Sequence, residues 1–331
     1  MHVENFVQLI TSFFYKISAI SDENINAKEI EKQFLVTTKT FNILTLLKGV
    51  KKIKKIIETE RPDIIHIQQI NRLAYFTILS LQLSKLKTPI VTTAWGSDVL
   101  LMPQQNFIYK HMVTYVLKNS NYCTADSQQM ISAIKKLVPT VPIKQVLFGI
   151  NPIKPSVKEK IIYSNRLHHP LYNIDKIIDE FYTFQKKHTD WRLIIGATGS
   201  LTNQLKEKVR GMNLERQVEF IGWVTSSINN QYYSKAHIYI SIPNSDGTAV
   251  SLLEAMSAGC VPVVSNLKVS KEWIKDNKSG VLFKENEENF EKALALNQSD
   301  VASINNAVIL SKATKNIASQ KYNEIYNSII C

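Results

Sequence analysis

The segment after the apolar run 237–242 carries residues suited to binding a diphosphate. The run predicts a strand, the polar turn Asn244-Ser245-Asp246-Gly247-Thr248 ends it, and the following residues predict a helix over 249–258. Gly247 lets a ligand approach the backbone closely. The amides at the start of such a helix point outward and attract phosphate oxygens. We expect these amides to be those of Thr248, Ala249, Val250 and Ser251.

Glu254 stands about one helical turn beyond this predicted phosphate site. A carboxylate at that distance can accept two hydrogen bonds from the diol of a ribose. The spacing alone leaves a second interpretation open, in which Asp246 is the helix N-cap and Glu254 is a surface residue.

This segment resembles the signature of glycosyltransferase family 4, a group of nucleotide-sugar-dependent enzymes with the GT-B fold. The signature is Glu-x7-Glu followed by a helix of small residues and a PVV strand. Here Asp246 and Glu254 have that spacing, and AMSAGCVPVV follows. The resemblance implies that Glu254 binds the ribose of the donor nucleotide. It also implies that Asp246 contacts the donor sugar, through a side chain shorter than the usual glutamate.

Arg166 ends a second matching string, IIYSNR at 161–166. The family places an arginine here, at the end of the first strand of the second domain, to neutralise the donor diphosphate. A planar guanidinium suits that task. Tyr172 stands where the family usually has a lysine, and Lys176 is the nearest substitute. A surface ion pair is the alternative role for Arg166.

A third match is the string TTAWGSD at 92–98. A predicted strand ends there, a glycine turn follows, and a carboxylate comes next. The resemblance implies that Asp98 bonds the acceptor or the transferred sugar, or takes the proton of the acceptor. It also places Trp95 and Gly96 on the acceptor side, with Trp95 as a wall. The alternative is that Asp98 only caps the turn.

Short β-rich runs alternate with amphipathic segments through most of the chain, which predicts parallel sheets covered by helices on both faces. In the first half we predict a helix near 3–14, strands at 15–20, 33–38, 63–68, 89–94, 121–126 and 145–149, and helices at 43–60, 72–86 and 104–118. In the second half we predict strands at 160–165, 191–197, 218–223, 237–242 and 261–265, and helices at 173–188, 201–210, 226–235, 249–258, 269–276, 287–297 and 301–330.

The stretch NPIKPSVK at 151–158 contains two prolines and predicts a linker. We therefore expect an α/β protein of two doubly wound, Rossmann-like domains facing a cleft, as in the GT-B fold. Residues 1–151 would form the acceptor-side domain and residues 152–331 the nucleotide-sugar domain. The C-terminal helix is expected to pack back toward the first domain.

The composition, with 44% hydrophobic and 21% charged residues, excludes disorder along the whole chain. The net charge of +12 favours an anionic partner, and residues 1–150 carry 18 Lys and Arg against 10 Asp and Glu. The densest basic run is Lys51, Lys52, Lys54 and Lys55. We interpret it either as a solvated helix face or as a contact for anionic lipid headgroups. No motif or aromatic platform supports nucleic acid as the partner.

The resemblance implies a retaining transferase that moves a hexose or related sugar from a nucleoside diphosphate sugar to an acceptor hydroxyl. The acceptor would be a glycan or a lipid-linked molecule in surface polysaccharide synthesis. No cofactor and no metal are expected, because the motif regions lack a carboxylate pair of the DxD type. Two alternatives are a GT-B sugar-nucleotide epimerase and a non-catalytic protein that binds a nucleotide sugar.

The N-terminal sequence and the cysteines lead to expectations about the compartment of the protein and the start of the chain. No secretory signal is recognisable and the three cysteines show no metal-ligand spacing, which favours the cytoplasm, at the inner face of the membrane. Relatives begin with a strand and a Gly-rich loop, whereas HVENFVQLI resembles the helix that follows them. We therefore expect Met1 to be a late start, with about 10–20 further residues in the native protein.

Overall fold

A computed structural model of the protein describes residues 2–38 and 42–330. The chain forms two compact units. The first comprises Met1–Phe148 with Lys315–Cys331, and the second comprises Gly149–Thr314. The last helix therefore belongs to the first unit. Within the described residues, no helix is long and apolar enough to cross a membrane.

The described residues of the first unit form six strands, each followed by helical or irregular segments. The strands are β1 (Ser18–Ser21), β2 (Lys32–Leu35), β3 (Ile65–Gln68), β4 (Ile90–Thr93), β5 (Tyr122–Ala125) and β6 (Ile143–Gln145). The helices are α1 (His2–Ile10), α2 (Ile43–Glu60), α3 (Arg72–Ser84), α4 (Ser97–Leu100), α5 (Met102–Gln105), α6 (Phe107–Lys118), α7 (Gln128–Leu137) and the last helix of the chain, α15 (Lys315–Ile330).

The described strands of this unit form two parallel sheets instead of a single doubly wound one. Strands β3, β4, β5 and β6 pair in that order, whereas within residues 2–38 and 42–330 β1 and β2 pair only with each other. The residues of β1 and β2 are half-buried or exposed, while all four residues of β4 are buried. Ile20 of β1 packs against the core of the unit, and Val36, the residue after β2, is buried in that core.

Helix α15 packs on the first unit through aromatic residues around His66 of β3. The ring of Phe6, from α1, lies 4.5 Å from the His66 ring and 5.2 Å from that of Tyr322. His66 Nδ1 lies 2.7 Å from the Tyr326 hydroxyl, and its Nε2 lies 2.8 Å from Thr93 Oγ1. His66 is thus a half-buried residue that joins β3 to its neighbour strand and to α15.

We predict that His66 makes the stability of the protein fall in acid. Burial lowers the pKa of His66 to about 3, so the native state keeps it neutral while the unfolded chain binds a proton below about pH 6.5. Its contribution is complete above that pH and is lost as pH falls toward 3. In urea titrations between about pH 6 and pH 4, His66→Gln should reduce the slope of unfolding free energy by about 1 kcal/mol per pH unit. The exposed His111→Gln is the control, and equal slopes in the two variants would contradict the prediction.

The second unit contains one six-stranded parallel sheet. Its strands are β7 (Glu159–Ser164), β8 (Arg192–Gly196), β9 (Val218–Gly222), β10 (Ala236–Ser241), β11 (Val261–Ser265) and β12 (Val281–Phe283). Its helices are α8 (Ile174–Gln185), α9 (Thr202–Gly211), α10 (Ser226–Lys235), α11 (Val250–Ser257), α12 (Lys268–Lys271), α13 (Asn289–Ala295) and α14 (Gln298–Lys312).

The strand order of this sheet is β12-β11-β10-β7-β8-β9. Numbered within the unit and read from the β9 edge, this is 3-2-1-4-5-6, the order of a dinucleotide-binding Rossmann sheet. The order reverses between the adjacent strands β7 and β10, where Tyr163 and Tyr239 are register partners. Ligands of such sheets bind beyond the carboxyl ends of the strands at this switch point.

The predicted linker 151–158 has neither helix nor strand, but it is fastened to the second unit. The Ile153 amide donates to Ser257 Oγ at 3.2 Å. Lys158 Nζ donates to the carbonyls of Tyr233, Ser234 and Ala258 at 2.7–3.0 Å. These bonds fix the segment that leads into β7.

The described cysteines are buried free thiols. Burial raises the pKa of Cys123 to about 12 and that of Cys260 to about 11, so both stay protonated near neutral pH. The third, Cys331, lies outside the described residues.

Candidate active site

Arg166 lies two residues beyond the end of β7, at the switch point of the second unit. Its Nη2 forms an ion pair with Asp246 Oδ2 at 2.8 Å, and its Nη1 donates to Ser251 Oγ at 3.2 Å. Only 13% of the Arg166 side chain is exposed, so the pair is not a surface ion pair. Burial opposes the charge, but the neighbouring Asp246 and two tyrosines outweigh it and raise the pKa of Arg166.

Asp246 lies in the loop after β10 and does not cap helix α11. The helix begins at Val250 with Ala249 as its N-cap, three residues after Asp246. The Asp246 carboxylate instead accepts from Arg166 and from the amide of Gly247. Burial raises the pKa of Asp246, and Arg166 partly offsets this effect.

Helix α11 presents its first turn next to this ion pair. Its ladder of backbone bonds begins with the N–H groups of Leu252 and Leu253, which both donate to the Ala249 carbonyl. The N–H groups of Val250 and Ser251 precede the ladder, and helix geometry gives them no partner within the helix. Such donors stabilise anions.

Two side-chain contacts hold the start of α11 in place. The buried Tyr239 of β10 donates its hydroxyl hydrogen to Ser251 Oγ at 2.8 Å. The Trp273 indole N–H donates to Thr248 Oγ1 at 3.3 Å. Ser251 is therefore fixed by both Tyr239 and Arg166, which joins β10, α11 and the loop after β7.

Glu254 is half-buried on α11, one turn beyond Ser251. Burial raises the pKa values of Tyr163 and Tyr233, and the charge of Glu254 contributes to both shifts. Asn165 donates its amide hydrogens to the Tyr233 hydroxyl at 2.6 Å and to Asn229 Oδ1 at 3.1 Å. Glu254 thus lies near a polar cluster under the switch point.

Tyr172 occupies the position where a lysine was expected, and it supports Arg166 in another way. The guanidinium carbon of Arg166 lies 4.6 Å from the centre of the Tyr172 ring, within cation–π distance. Lys176, the substitute candidate, forms an ion pair with Glu285 on the surface instead.

Asp98 is fully buried in the first turn of α4, five residues beyond the end of β4 in the first unit. Its carboxylate accepts hydrogen bonds from backbone amides. Oδ2 accepts from the Ile70 amide at 2.9 Å, and Oδ1 accepts from Trp95 at 3.0 Å and Gly96 at 2.9 Å. Burial raises the pKa of Asp98, and these amides oppose the shift. This geometry is that of a carboxylate that fixes a turn.

Trp95 and Gly96 form the turn that Asp98 holds. Gly96 has a φ of 116°, a value that favours glycine. The Trp95 indole N–H donates to Gln68 Oε1 at 3.1 Å, at the end of the neighbouring strand β3. The indole is therefore anchored at the carboxyl edge of this sheet and remains half-exposed.

Comparisons with known proteins agree with this arrangement. Residues 150–312 match the family model described as glycosyl transferases group 1, and residues 2–127 match the model described as glycosyl transferase 4-like. The chain is a group 1 glycosyltransferase. The predicted family and the α/β GT-B fold class are therefore confirmed.

This glycosyltransferase also resembles individual proteins. It is 24% identical over 111 residues to an alpha-monoglucosyldiacylglycerol synthase of Streptococcus pneumoniae, a match that covers 34% of this chain and 25% of the relative. It is 23% identical over 157 residues to the enzyme of that name from Acholeplasma laidlawii, covering 46% and 38%. The matches thus span less than half the length of these relatives.

Among solved structures, Anabaena Alr3699/HepE in complex with UDP-glucose superposes with a TM-score of 0.82. The superposition covers 98% of this glycosyltransferase and 95% of HepE, at 13% identity. At this identity the likeness demonstrates the fold alone.

Several residues at the site of this glycosyltransferase were not predicted from the sequence: Tyr163, Asn165, Tyr233 and Tyr239. Tyr163 and Tyr239 could have been predicted from the sequence, because each lies near the end of an apolar run that forms a strand at the switch point. Within residues 2–38 and 42–330, no group of three His, Cys, Asp or Glu could hold a metal ion.

Proposed function

We propose that this glycosyltransferase moves a sugar from a nucleoside diphosphate sugar to an acceptor hydroxyl with retention of anomeric configuration. The observation that carries the proposal is the cluster of Arg166, Asp246 and Ser251 at the Rossmann switch point, beside the first turn of α11. Retention rests on the resemblance to family 4. The complex of HepE with UDP-glucose favours a uridine nucleotide as the first donor to test.

In this proposal the diphosphate takes the place of Asp246 as the partner of Arg166. Charge that grows on the departing diphosphate is stabilised by Arg166 and by the amides of Val250 and Ser251, without a metal ion. Asp246, released from the ion pair, accepts hydrogen bonds from the donor sugar. Glu254 accepts the ribose hydroxyls, and Gly247, Thr248 and Ala249 form the loop that lines the phosphates.

On the acceptor side, we propose that Trp95 is a wall for the acceptor and that Gly96 gives the turn its shape. The half-exposed indole anchored to Gln68 supports this role. Asp98 then acts by holding the turn, because its oxygens already accept backbone hydrogen bonds. A direct role in taking the proton of the acceptor would require these bonds to break.

We further propose a lipid-linked acceptor and a place at the inner, anionic face of a membrane. Both sequence relatives are named for a glucosylated diacylglycerol. Helix α2 presents Lys51, Lys52 and Lys55 as exposed residues. Its first turns expose Ile43 by 71%, Leu44 by 65% and Leu47 by 60%. Apolar side chains beside a row of lysines suit the headgroup region of an anionic bilayer.

Replacing Lys51, Lys52, Lys54 and Lys55 with glutamine should weaken binding to anionic liposomes about 10²-fold or more, because each basic residue near the surface contributes about 1 kcal/mol and three of the four are exposed. Sedimentation at several salt concentrations measures this, and the difference should shrink as salt rises. The control replaces four exposed lysines elsewhere on the first unit, Lys85, Lys87, Lys118 and Lys136, and removes the same charge. Wild-type protein that fails to sediment at low salt would remove the membrane proposal.

The proposed reaction is tested by incubating the protein with nucleoside diphosphate sugars and a lipid or glycan acceptor and identifying the products by NMR. We expect free nucleoside diphosphate and a glycosylated acceptor with the anomeric configuration of the donor. A changed sugar nucleotide would indicate epimerisation. Nucleotide binding without any product across donors and acceptors would indicate the non-catalytic alternative.

A further inference from the structure

The loop after β7, residues 165–173, and the loop after β10, residues 242–249, are joined by more than the Arg166–Asp246 pair. The Asn244 amide donates to the Leu171 carbonyl at 2.8 Å. Asn173 Nδ2 donates to the Ile242 carbonyl and to Asn244 Oδ1, each at 2.8 Å. Three hydrogen bonds therefore join the loop after β7 to the loop after β10, in addition to the ion pair.

Asn173 is placed for this contact by an unusual helix start. It is the N-cap residue of α8, but its side chain makes no capping bond to the helix. An asparagine at this position ordinarily accepts from an amide of the first turn. Here φ is 52° and ψ is 41°, a left-handed conformation outside the usual range for an N-cap, and the amide reaches the loop after β10.

The same loop carries the groups that hold Arg166. The Tyr172 amide donates to the His169 carbonyl at 3.0 Å, which closes a short turn, and the Tyr172 ring lies under the guanidinium. Arg166 is thus supported from one side by Tyr172 and bonded on the other to Asp246 and Ser251. Its position relative to the loop after β10 depends on how the two loops are joined.

We propose that Asn173 is a positioning residue that holds Arg166 and Asp246 in register for the donor. This inference rests on the proposed function. A misplacement of about 1 Å costs about 10²-fold in rate when reacting groups must be aligned. Loss of the Asn173 side chain should therefore reduce turnover more than it reduces donor binding, since Arg166 and α11 remain.

The test compares Asn173→Gly with Asn213→Gly. Glycine keeps the left-handed backbone and removes only the side chain. Asn213 has a φ of 55° and lies between α9 and β9, at the opposite edge of the same sheet. It therefore controls for the general effect of an asparagine-to-glycine change. Both variants are compared with wild type by steady-state kinetics and by hydrogen–deuterium exchange of the 242–249 peptide.

We expect Asn173→Gly to lower kcat about tenfold with KM changed less than about threefold, and to speed exchange over 242–249. Asn213→Gly should match wild type in both measurements. Equal kcat values for the two variants, or a loss confined to KM, would overturn the positioning role. If wild type itself transfers no sugar, the proposed function fails, and unchanged exchange in Asn173→Gly would separately refute the loop contact.

Discussion

Arg166→Ala should lower kcat by about 10²-fold or more and should raise KM by a smaller factor. The reason is that the charge on the departing diphosphate grows toward the transition state, where a preorganised cation has its largest effect. Arg166→Lys should recover only part of the activity, because an ammonium cannot bond the phosphate oxygens in the bidentate way that a planar guanidinium does. Steady-state kinetics with the donor as varied substrate measure both parameters.

The matched control for this prediction is Arg192→Ala. Arg192 is an exposed residue of β8 in the same unit, and its side chain pairs with Glu159 at 3.7 Å. Its loss removes the same charge without touching the switch point, so activity should stay near wild type. A loss confined to KM in Arg166→Ala would show that Arg166 binds ground state and transition state equally, which contradicts the proposed role.

Glu254→Gln should weaken nucleotide binding more than tenfold. Hydrogen bonds to a charged group contribute about 1.5–3 kcal/mol, and the amide can accept with only one of its two polar atoms. Calorimetric titration with a ribonucleoside diphosphate and its 2′-deoxy analogue measures the effect. Wild type should prefer the ribonucleotide, and the variant should lose most of that preference.

Glu219→Gln provides the comparison for Glu254, because Glu219 is exposed on the edge strand β9 of the same sheet. This variant should bind both nucleotides as wild type does. If Glu254→Gln retains wild-type affinity and the same preference for the ribose, then Glu254 does not bind the ribose and the donor must lie differently.

The donor side of the site was largely predictable because its determinants are local in sequence. The strands β7 and β10 and the helix α11 begin within two residues of their predicted limits. Apolar runs followed by polar turns give such boundaries directly. Arg166 and Asp246 fall in the two loops that parallel strands bring to one edge, so their meeting follows from the sheet order.

Other elements depended on packing that the sequence does not reveal. Strands β1 and β2 lie near two of the predicted strands, but apolar runs in the sequence did not predict that they would pair with each other apart from the sheet of β3–β6. Helix α7 was missed although Ser127 caps it and Met130 and Ile134 form a buried stripe. The predicted helix 301–330 is two helices, α14 and α15, which divide at Ala313 without a proline or glycine signal.

The contacts made by loop side chains were the least predictable part of the site. Asp98 fits the turn-capping alternative, because three backbone amides surround it in the folded chain. Tyr172 replaces an expected cation but contacts Arg166 through its ring. Both outcomes follow from loop packing, which spacing in the sequence does not encode.

The central claim is that the switch point of the second unit binds a nucleoside diphosphate through Arg166. It is tested most directly by thermal unfolding of wild type and Arg166→Ala with UDP, GDP, TDP and CMP. A ligand at 100 times its Kd should stabilise wild type by about 2.7 kcal/mol. We predict that at least one diphosphate raises the unfolding temperature of wild type, that CMP has a smaller effect, and that Arg166→Ala loses most of the diphosphate shift. Absence of stabilisation by every diphosphate, or an equal shift in Arg166→Ala, would contradict the claim.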